Sequence, residues 1–174
     1  MTLSKISSVY YFAFGANLDQ ATITNRVAST APLPSFPASL PDYRLAFNIG
    51  ESKHLPSFAS VVSSSGSTTH GVVYDLTITQ WMLLCASEAV PFVYTPKVIK
   101  CEAYRNGGEI VNALTFVKTP SYIDNPQKDF EGKPSIRYIS KMCTGARLQG
   151  LNEDWLDYLD SIEPFDGVKV CSRS

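Results

Sequence analysis

The stretch Tyr10–Leu18 reads Tyr-Tyr-Phe-Ala-Phe-Gly-Ala-Asn-Leu, and it decides the fold because it joins an apolar strand to a glycine loop. Its first five residues are aromatic or apolar, and a polar segment with the pattern of a helix follows at Asp19–Arg26. A glycine at such a turn lets backbone N–H groups approach a ligand closely and point at negative charge. Tight strand-to-helix turns are common, so this stretch alone leaves a purely structural role equally open. The loop gains a function only if the rest of the chain supplies a chemical partner for it.

The composition describes a globular chain of 174 residues, which is long enough to bury a core. We predict a single domain over residues 1–174. The net charge is −1 and no basic patch stands out, which makes nucleic acid and anionic membranes poor partners. No apolar run approaches the roughly 20 residues that span a bilayer, and the first residues lack the pattern of a signal peptide. We therefore expect a cytoplasmic protein, a monomer or homodimer, that binds a small-molecule substrate.

The cysteines and histidines do not have the spacing of a metal site. The four cysteines are Cys85, Cys101, Cys143 and Cys171. None of them forms a Cys-x-x-Cys pair, and His54 and His70 lie far from any cysteine at ligand spacing. We therefore predict no metal and no cofactor, and we expect the cysteines to be reduced thiols.

Several segments have the alternation or the apolar character of short strands. Besides the opening strand, they are 43–47, 58–62, 71–76, 97–104 and 110–118. The segment 31–41 carries four prolines and is predicted to be an irregular connector, because proline removes N–H donors. The Ser/Thr/Gly run 63–69 and the Asn-Gly segment 105–109 are predicted to be hairpin loops. Residues 119–134 form a long loop of the kind that often acts as a lid.

A helix is predicted at Gln80–Glu88, with Thr77 or Thr79 as its N-cap. Further helices are predicted at 19–26, 135–148 and 153–162. Gly150 ends the third of these helices, and Asn152 can cap the last one. Strands come mostly first and helices last, which is an α+β arrangement.

Glu88 is the candidate general acid/base. No other charged residue lies between Asp75 and Lys97, and Glu88 falls near the end of the predicted helix. Burial and the negative end of the helix are both expected to raise the pKa of this carboxyl, which suits acid/base catalysis near neutral pH. From these residues alone, an exposed glutamate that ends a helix is the alternative. The serine run Ser63–Ser67 lacks the Gly-x-Ser-x-Gly pattern of a nucleophile.

The chain resembles the gamma-glutamyl cyclotransferase-like family from about Tyr10 to about Gly167. The loop Phe14-Gly15-Ala16-Asn17 resembles the family's Tyr-Gly-Ser-Asn signature. Leu84–Val90 is similar to the segment that carries the family's catalytic glutamate, which falls on Glu88. Further matches in the family's order are Gly71–Tyr74, Tyr94, Ala113–Val117, Pro134–Tyr138, Gly145–Ala146 and Ile162–Pro164.

What the resemblance implies is an α+β fold, a small mixed β-barrel with peripheral helices, in which the loop and the glutamate meet over one cavity. The implied reaction is intramolecular: the α-amine of a γ-glutamyl group attacks its own γ-carbonyl, 5-oxoproline forms and an amine leaves. Glu88 would move the protons, and the backbone N–H groups of Gly15–Asn17 would hold the oxyanion. The implied substrate-binding residues are Phe14, Gly15, Ala16, Asn17, Tyr94, Phe116 and Tyr138.

Three positions depart from the family pattern, and each change removes one hydroxyl. Phe14 and Phe116 stand where the family has tyrosine, and Ala16 stands where it has serine. One hypothesis is that backbone contacts suffice and the protein acts on a γ-glutamyl amine, peptide or glutathione conjugate. The family also has relatives beside fungal secondary-metabolite genes, so a second hypothesis has Glu88 drive isomerisation, elimination or cyclisation of a more apolar secondary metabolite. A non-catalytic module that binds a small molecule is the third.

Overall fold

The computed structural model describes residues 8–52, 54–120 and 130–165, which form a closed five-stranded barrel with four α-helices around it. The strands are β1 (Ser8–Ala13), β2 (Ser35–Ile49), β3 (Phe58–Thr77), β4 (Tyr94–Ala103) and β5 (Ile110–Lys118). The helices are α1 (Gln20–Arg26), α2 (Ile78–Ser87), α3 (Ile136–Leu148) and α4 (Glu153–Ser161). The predicted α+β class, with a small mixed barrel and peripheral helices, is confirmed.

The barrel runs in the order β1-β3-β2-β4-β5 and closes through a parallel contact between β1 and β5, at Tyr11 and Leu114. The other neighbouring strands are antiparallel. The Thr115 hydroxyl donates to the Phe12 carbonyl at 2.9 Å across the closing seam. Consecutive residues at the end of β1 are buried, including Phe12 with no exposed surface. The glycine loop therefore leaves the barrel from the middle of the core.

Each α-helix begins at a side chain that satisfies a free backbone N–H. The α2 helix begins with a capping box between Thr77 and Gln80, which selects the first of its two predicted caps. Asn152 accepts from the Trp155 N–H at 2.9 Å, which confirms the predicted cap of α4. Local cap chemistry placed these helices to within one or two residues.

The prediction of an irregular connector at 31–41 is wrong for most of its length, because β2 begins at Ser35 and continues through Pro37 and Pro41. Proline is tolerated in strands at sheet edges and at bulges. The described pairing of β2 with β4 is confined to Ala38 and Ser39, and the register with β3 shifts directly after Pro41. The prolines therefore occupy a strand whose ladder is already interrupted.

The Ser/Thr/Gly run 63–69 is not a hairpin loop, because β3 continues through it. The register with β2 jumps here, so residues 64–67 bulge out of the ladder. Gly66 has a φ of +78°, and its N–H donates to the Asp42 carboxylate at 2.9 Å. The turn between β2 and β3 lies instead at 50–57. A run of small polar residues thus marked a bulge rather than a turn.

The predicted lid at 119–134 falls largely on residues 121–129, which lie outside the described residues. Its described end packs under the β2–β3 turn. The Gly132 N–H donates to the Phe47 carbonyl at 2.7 Å, and the Ser57 N–H donates to the Lys133 carbonyl at 2.8 Å. The lid role stays a prediction.

Cys143 is disulfide-bonded, so the expectation of reduced cysteines is wrong at this position. Cys85 and Cys101 carry free thiols. Within residues 8–52, 54–120 and 130–165, no group of three His, Cys, Asp or Glu side chains is placed to hold a metal ion. None of the helices in these ranges is long and apolar enough to cross a membrane.

Candidate active site

A cavity of about 330 Å³ lies at one end of the barrel, where the glycine loop, the end of α2 and the start of β4 meet. Every site residue predicted from the sequence contributes to its wall. They are Phe14, Gly15, Ala16, Asn17, Glu88, Tyr94, Phe116 and Tyr138. The structure therefore brings together residues that are up to 124 positions apart in the chain, from Phe14 to Tyr138.

The glycine loop is a single turn of 3₁₀ helix at Ala16–Leu18, which Gly15 precedes. The Leu18 N–H donates to the Gly15 carbonyl at 3.0 Å. A side chain at Gly15 would place its Cβ 2.6 Å from the Tyr138 hydroxyl oxygen, which is closer than atoms can approach. A side chain at this position would therefore push the Tyr138 hydroxyl away from the loop backbone.

The α3 helix supports the loop from the opposite side through Gly145. A Cβ at this position would lie 2.4 Å from the Leu18 carbonyl carbon and 2.5 Å from the Asp19 backbone nitrogen. Only a glycine lets the helix come this close to the loop. Because those neighbours are backbone atoms, which cannot turn aside, Gly145 sets the position of the loop relative to the barrel.

Glu88 is the C-cap of α2, and the helix ends there in a Schellman motif. The Val90 N–H donates to the Cys85 carbonyl at 3.2 Å, and the Ala89 N–H donates to the Ala86 carbonyl at 3.4 Å. Ala89 has a φ of +52°, a left-handed conformation that costs a non-glycine residue on the order of 1 kcal/mol. The chain is thus strained directly after the candidate catalytic residue.

The Glu88 carboxylate is mostly buried and has two donors on one oxygen. The Arg26 guanidinium forms an ion pair with Oε1, and the Asn17 side-chain N–H donates to the same oxygen at 2.9 Å. Burial raises the pKa of Glu88, while the Arg26 charge and the Asn17 hydrogen bond partly oppose this. The direction agrees with the sequence prediction, and desolvation is its main cause.

Sequence reasoning missed two residues of this cluster, Arg26 and Tyr11. Arg26 ends α1 and is the residue that pairs with Glu88. Tyr11 accepts a hydrogen bond from the Asn17 side chain at 3.0 Å, and burial together with the Glu88 charge raises the pKa of its hydroxyl. In the sequence, Arg26 could be noticed only as a basic residue in the last turn of a predicted helix, which is weak evidence for a site residue. Tyr11 offered none, since apolar and aromatic residues surround it in β1.

Two tyrosines hold the backbone of Ala59 on the far wall. The Tyr94 hydroxyl donates to the Ala59 carbonyl at 2.9 Å, and the Tyr138 hydroxyl accepts from the Ala59 N–H at 3.3 Å. Burial raises the pKa of Tyr138 to about 12, against the effect of backbone hydrogen bonds at Ala59 and Ala16. At neutral pH Tyr138 therefore keeps its proton. Because its hydroxyl accepts the Ala59 bond, that proton is available to a ligand.

The family model described as "Gamma-glutamyl cyclotransferase, AIG2-like" matches residues 11–138, a range that contains every predicted site residue. The chain belongs to this family. Gamma-glutamyl cyclotransferase aclK of Aspergillus oryzae is 29% identical over 158 residues, which cover 80% of this chain. The chain spans 55% of the length of that relative.

Human gamma-glutamylcyclotransferase is 28% identical over 166 residues, which cover 91% of this chain and 81% of the human protein. A solved structure of a gamma-glutamyl cyclotransferase superposes with a TM-score of 0.77 at 25% identity, covering 90% of this chain and 89% of the other. The shared length and the TM-score show that the two chains have the same fold.

The three positions that depart from the gamma-glutamyl cyclotransferase signature, Phe14, Ala16 and Phe116, all line the cavity. Phe116 stacks on Trp81 with ring centroids 5.2 Å apart and lies 5.4 Å from the Tyr11 ring. Its wall of the cavity is therefore aromatic and apolar. Three other tyrosine hydroxyls remain in the lining, on Tyr11, Tyr94 and Tyr138. The loss of polar groups relative to the signature is thus partial.

Proposed function

We propose that the protein is a gamma-glutamyl cyclotransferase that releases 5-oxoproline from a γ-glutamyl amine, peptide or glutathione conjugate. The observation that carries the proposal is the meeting of Glu88 with the glycine loop: the Asn17 side chain of that loop donates to the Glu88 carboxylate at 2.9 Å. Family membership supports the same activity, since both the loop and the glutamate lie in the matched region.

Glu88 is the proposed proton carrier. It takes a proton from the substrate's α-ammonium group, and the freed amine attacks the γ-carbonyl carbon to form the new C–N bond of the five-membered ring. Glu88 gives this proton to the leaving nitrogen as the original γ-amide C–N bond breaks. The ring nitrogen, which still carries two hydrogens, loses one of them to Glu88, and this second proton passes to the same amine, which leaves as an ammonium ion. Each unit of pKa difference between ammonium and carboxyl adds about 1.4 kcal/mol to the first transfer. Burial of Glu88, which raises its pKa, narrows this difference.

The oxyanion that forms during the attack needs fixed donors. The backbone N–H groups of Gly15–Asn17 are the proposed donors, held in place by Gly145 behind the loop. The Tyr138 hydroxyl is a further candidate, because it lies against Gly15 and keeps its proton at neutral pH. Donors that are fixed before the reaction stabilise the developing charge without reorganisation.

The reaction also needs the amine and the carbonyl of one substrate molecule to meet. The cavity supplies this by confinement, since its volume of about 330 Å³ suits a small head group rather than a whole peptide. Well-oriented intramolecular reactions gain roughly 7–11 kcal/mol from positioning. The leaving amine can then extend towards solvent, which is compatible with a peptide or a conjugate.

A second candidate function is favoured by the apolar replacements at Phe14, Ala16 and Phe116. In this function Glu88 moves a proton in an isomerisation, elimination or cyclisation of a more apolar secondary metabolite. A site that loses hydrogen-bonding groups loses discrimination for polar substrates. The aromatic wall at Phe116, on which Trp81 stacks, would suit such a ligand.

Incubation with glutathione, γ-glutamyl-alanine and a glutathione S-conjugate separates these functions, with 5-oxoproline as the product to be measured. Release from any of the three donors is the expected result. Absence of release from all three, by protein whose circular dichroism shows a folded chain, overturns the proposal in favour of the second candidate. If a ligand binds in the cavity and Glu88→Gln changes neither binding nor any product, a non-catalytic binding module is supported instead.

A further inference from the structure

Arg26 lies in the cavity but has no part in the reaction described above. Resting on the proposed function, we propose that Arg26 is the receptor for the α-carboxylate of the γ-glutamyl group. It would exchange its ion pair with Glu88 for one with the substrate. This assigns the specificity for an amino-acid head group to a residue outside the signature loop.

The charges of the cavity wall support this assignment. Among the described lining residues Arg26 is the only one with a basic side chain, whereas the carboxylates of Glu88 and Glu51 both line the wall. A substrate carboxylate that enters a wall with two acidic side chains needs a cation to offset their repulsion. Arg26 is the residue that can supply it.

The geometry of Arg26 leaves room for this second partner. The ion pair with Glu88 runs through one terminal nitrogen, Nη1, of a guanidinium group that carries five N–H donors. The side chain is 31% exposed, so a ligand can reach it from the cavity. A guanidinium binds a carboxylate with two parallel hydrogen bonds, which fix direction as well as charge.

Asn17 supplies the complementary half of a head-group site. Its side-chain N–H₂ donates to Glu88 and to Tyr11, which leaves the amide oxygen Oδ1 pointing elsewhere. Oδ1 is buried and has no hydrogen-bond partner among the described residues, although Asn17 is only 4% exposed. A buried acceptor without a partner is costly. The α-ammonium of the substrate would satisfy it and would lie beside Glu88.

The exchange leaves every charge paired. Before binding, Arg26 pairs with Glu88, and the substrate head group carries its own ammonium and carboxylate. After binding, Arg26 pairs with the substrate carboxylate, and Glu88 pairs with the ammonium from which it takes the proton. Removing one partner of a buried pair is costly because it leaves an uncompensated charge, and the exchange leaves no such charge. Because the Arg26 charge lowers the pKa of Glu88, its diversion makes Glu88 a stronger base when the ammonium arrives.

Two small probes that differ only in a carboxylate test the assignment without requiring turnover: 5-oxoproline and 2-pyrrolidinone. Binding is followed by fluorescence of Trp81, which stacks on Phe116 of the cavity wall, and by heteronuclear NMR. The wild type is expected to bind 5-oxoproline about tenfold or more tightly than 2-pyrrolidinone, the range of a charge-assisted hydrogen bond. Arg26→Gln is expected to abolish this preference without changing 2-pyrrolidinone binding.

Arg147→Gln is the matched control, because Arg147 has a similar exposure and lies in an ion pair away from the cavity. It is expected to keep the full preference. Arg26→Lys keeps the positive charge but lacks the planar guanidinium group, so it is expected to keep part of the preference for 5-oxoproline. This variant tests the assignment if Arg26→Gln does not fold. A wild type that binds the two probes equally, or binds neither, overturns the assignment, as does an Arg26→Gln variant that keeps the preference. Release of 5-oxoproline by the wild type is measured separately, so failure of the assignment leaves the proposed activity standing.

Discussion

Two ion pairs in this molecule join the ends of neighbouring helices and have nearly the same exposure. In the first, Arg26 at the end of α1 is 31% exposed, and Glu88 at the end of α2 is 14% exposed. In the second, Arg147 in α3 is 38% exposed, and Asp160 in α4 is 15% exposed. One terminal nitrogen of Arg147, Nη2, lies 2.6 and 2.5 Å from the two Asp160 carboxylate oxygens.

The two pairs differ in what surrounds the carboxylate. Glu88 lines the cavity and shares its oxygen with Asn17 of the glycine loop, and burial raises its pKa. Asp160 is not among the described lining residues of the cavity. Burial and an ion pair are therefore not enough to make a carboxylate a candidate for catalysis. A cavity beside the carboxylate and a hydrogen bond from the glycine loop, which Gly145 supports, distinguish the first pair from the second.

Neutralising the carboxylate of each ion pair in turn should give the largest difference in activity between the two pairs. Glu88→Gln is expected to lower the rate of 5-oxoproline release by about 10²–10⁴-fold, the usual contribution of general acid–base catalysis. Asp160→Asn should keep the wild-type rate and lose no more than roughly 1 kcal/mol of stability, as for other pairs near the surface. A Glu88→Gln enzyme with full turnover would contradict the role of Glu88.

Displacing the glycine loop should disturb the hydrogen bond from Asn17 that distinguishes the Arg26–Glu88 pair from the Arg147–Asp160 pair. Gly145→Ala places a methyl group 2.4–2.6 Å from the backbone of Leu18 and Asp19. Overpacking of this kind costs about 1–3 kcal/mol, which outweighs the roughly 1 kcal/mol that alanine gains in a helix. We expect a lower free energy of unfolding in urea and a loss of activity. Thr144→Ala, an exposed change in the same helix, is the control and should have neither effect; equal stability of the two variants would show that the loop tolerates the methyl group.

The pH dependence of stability offers a further contrast between wild type and Glu88→Gln. A carboxyl whose pKa is raised in the folded state binds more protons there than in the unfolded chain, so its ionisation destabilises the fold as pH rises. The Glu88→Gln variant has no carboxyl to ionise here, so its stability does not fall with pH for this reason. Its free energy of unfolding relative to wild type should therefore increase from glutamate's ordinary pKa of 4.5 upwards until Glu88 is fully ionised. A difference that stays constant with pH, measured by urea denaturation, would argue against burial of the Glu88 charge.

The helix ends themselves provide the smallest test. Both α2 and α3 end in a Schellman motif, but α2 has Ala89 in the left-handed position at a φ of +52°, whereas α3 has Gly150 at +70°. Ala89→Gly should raise the free energy of unfolding by about 1 kcal/mol, and Gly150→Ala should lower it by a similar amount. Thermal and urea unfolding of the two variants measure both changes. Equal effects in the same direction would contradict the strain assigned to Ala89.

The parts of the fold with local causes could be predicted from the sequence. The Thr77 and Asn152 caps, the Gly150 helix end and the Asn-Gly turn after β4 all depend on neighbouring residues, and the structure agrees with each. The prolines of β2 led to the wrong prediction of a connector, because a strand tolerates proline or not according to which strand pairs with it. The bulge at 64–67 has turn-like composition, and only its partner strand shows that it is not a turn.

The candidate site follows the same division. The glycine loop and Glu88 could be found because a short motif marks the first and a long charge-free stretch marks the second. Arg26 could not be found, since its pairing with Glu88 joins residues 62 positions apart and depends on how α1 packs against α2. The strain at Ala89 could not be predicted either, because no neighbouring residue in the sequence requires a left-handed backbone at that position.

The pH dependence of kcat/KM for 5-oxoproline release tests most directly whether Glu88 is the base. The base must be ionised, so the rate should rise with pH and reach half its maximum above 4.5, since burial raises the pKa of Glu88 beyond this ordinary value. Arg26→Gln should move this midpoint higher still, because the Arg26 charge holds the pKa down, and Arg147→Gln should leave it unchanged. A midpoint at or below 4.5, or one that does not respond to Arg26→Gln, would contradict the assignment of the base to Glu88.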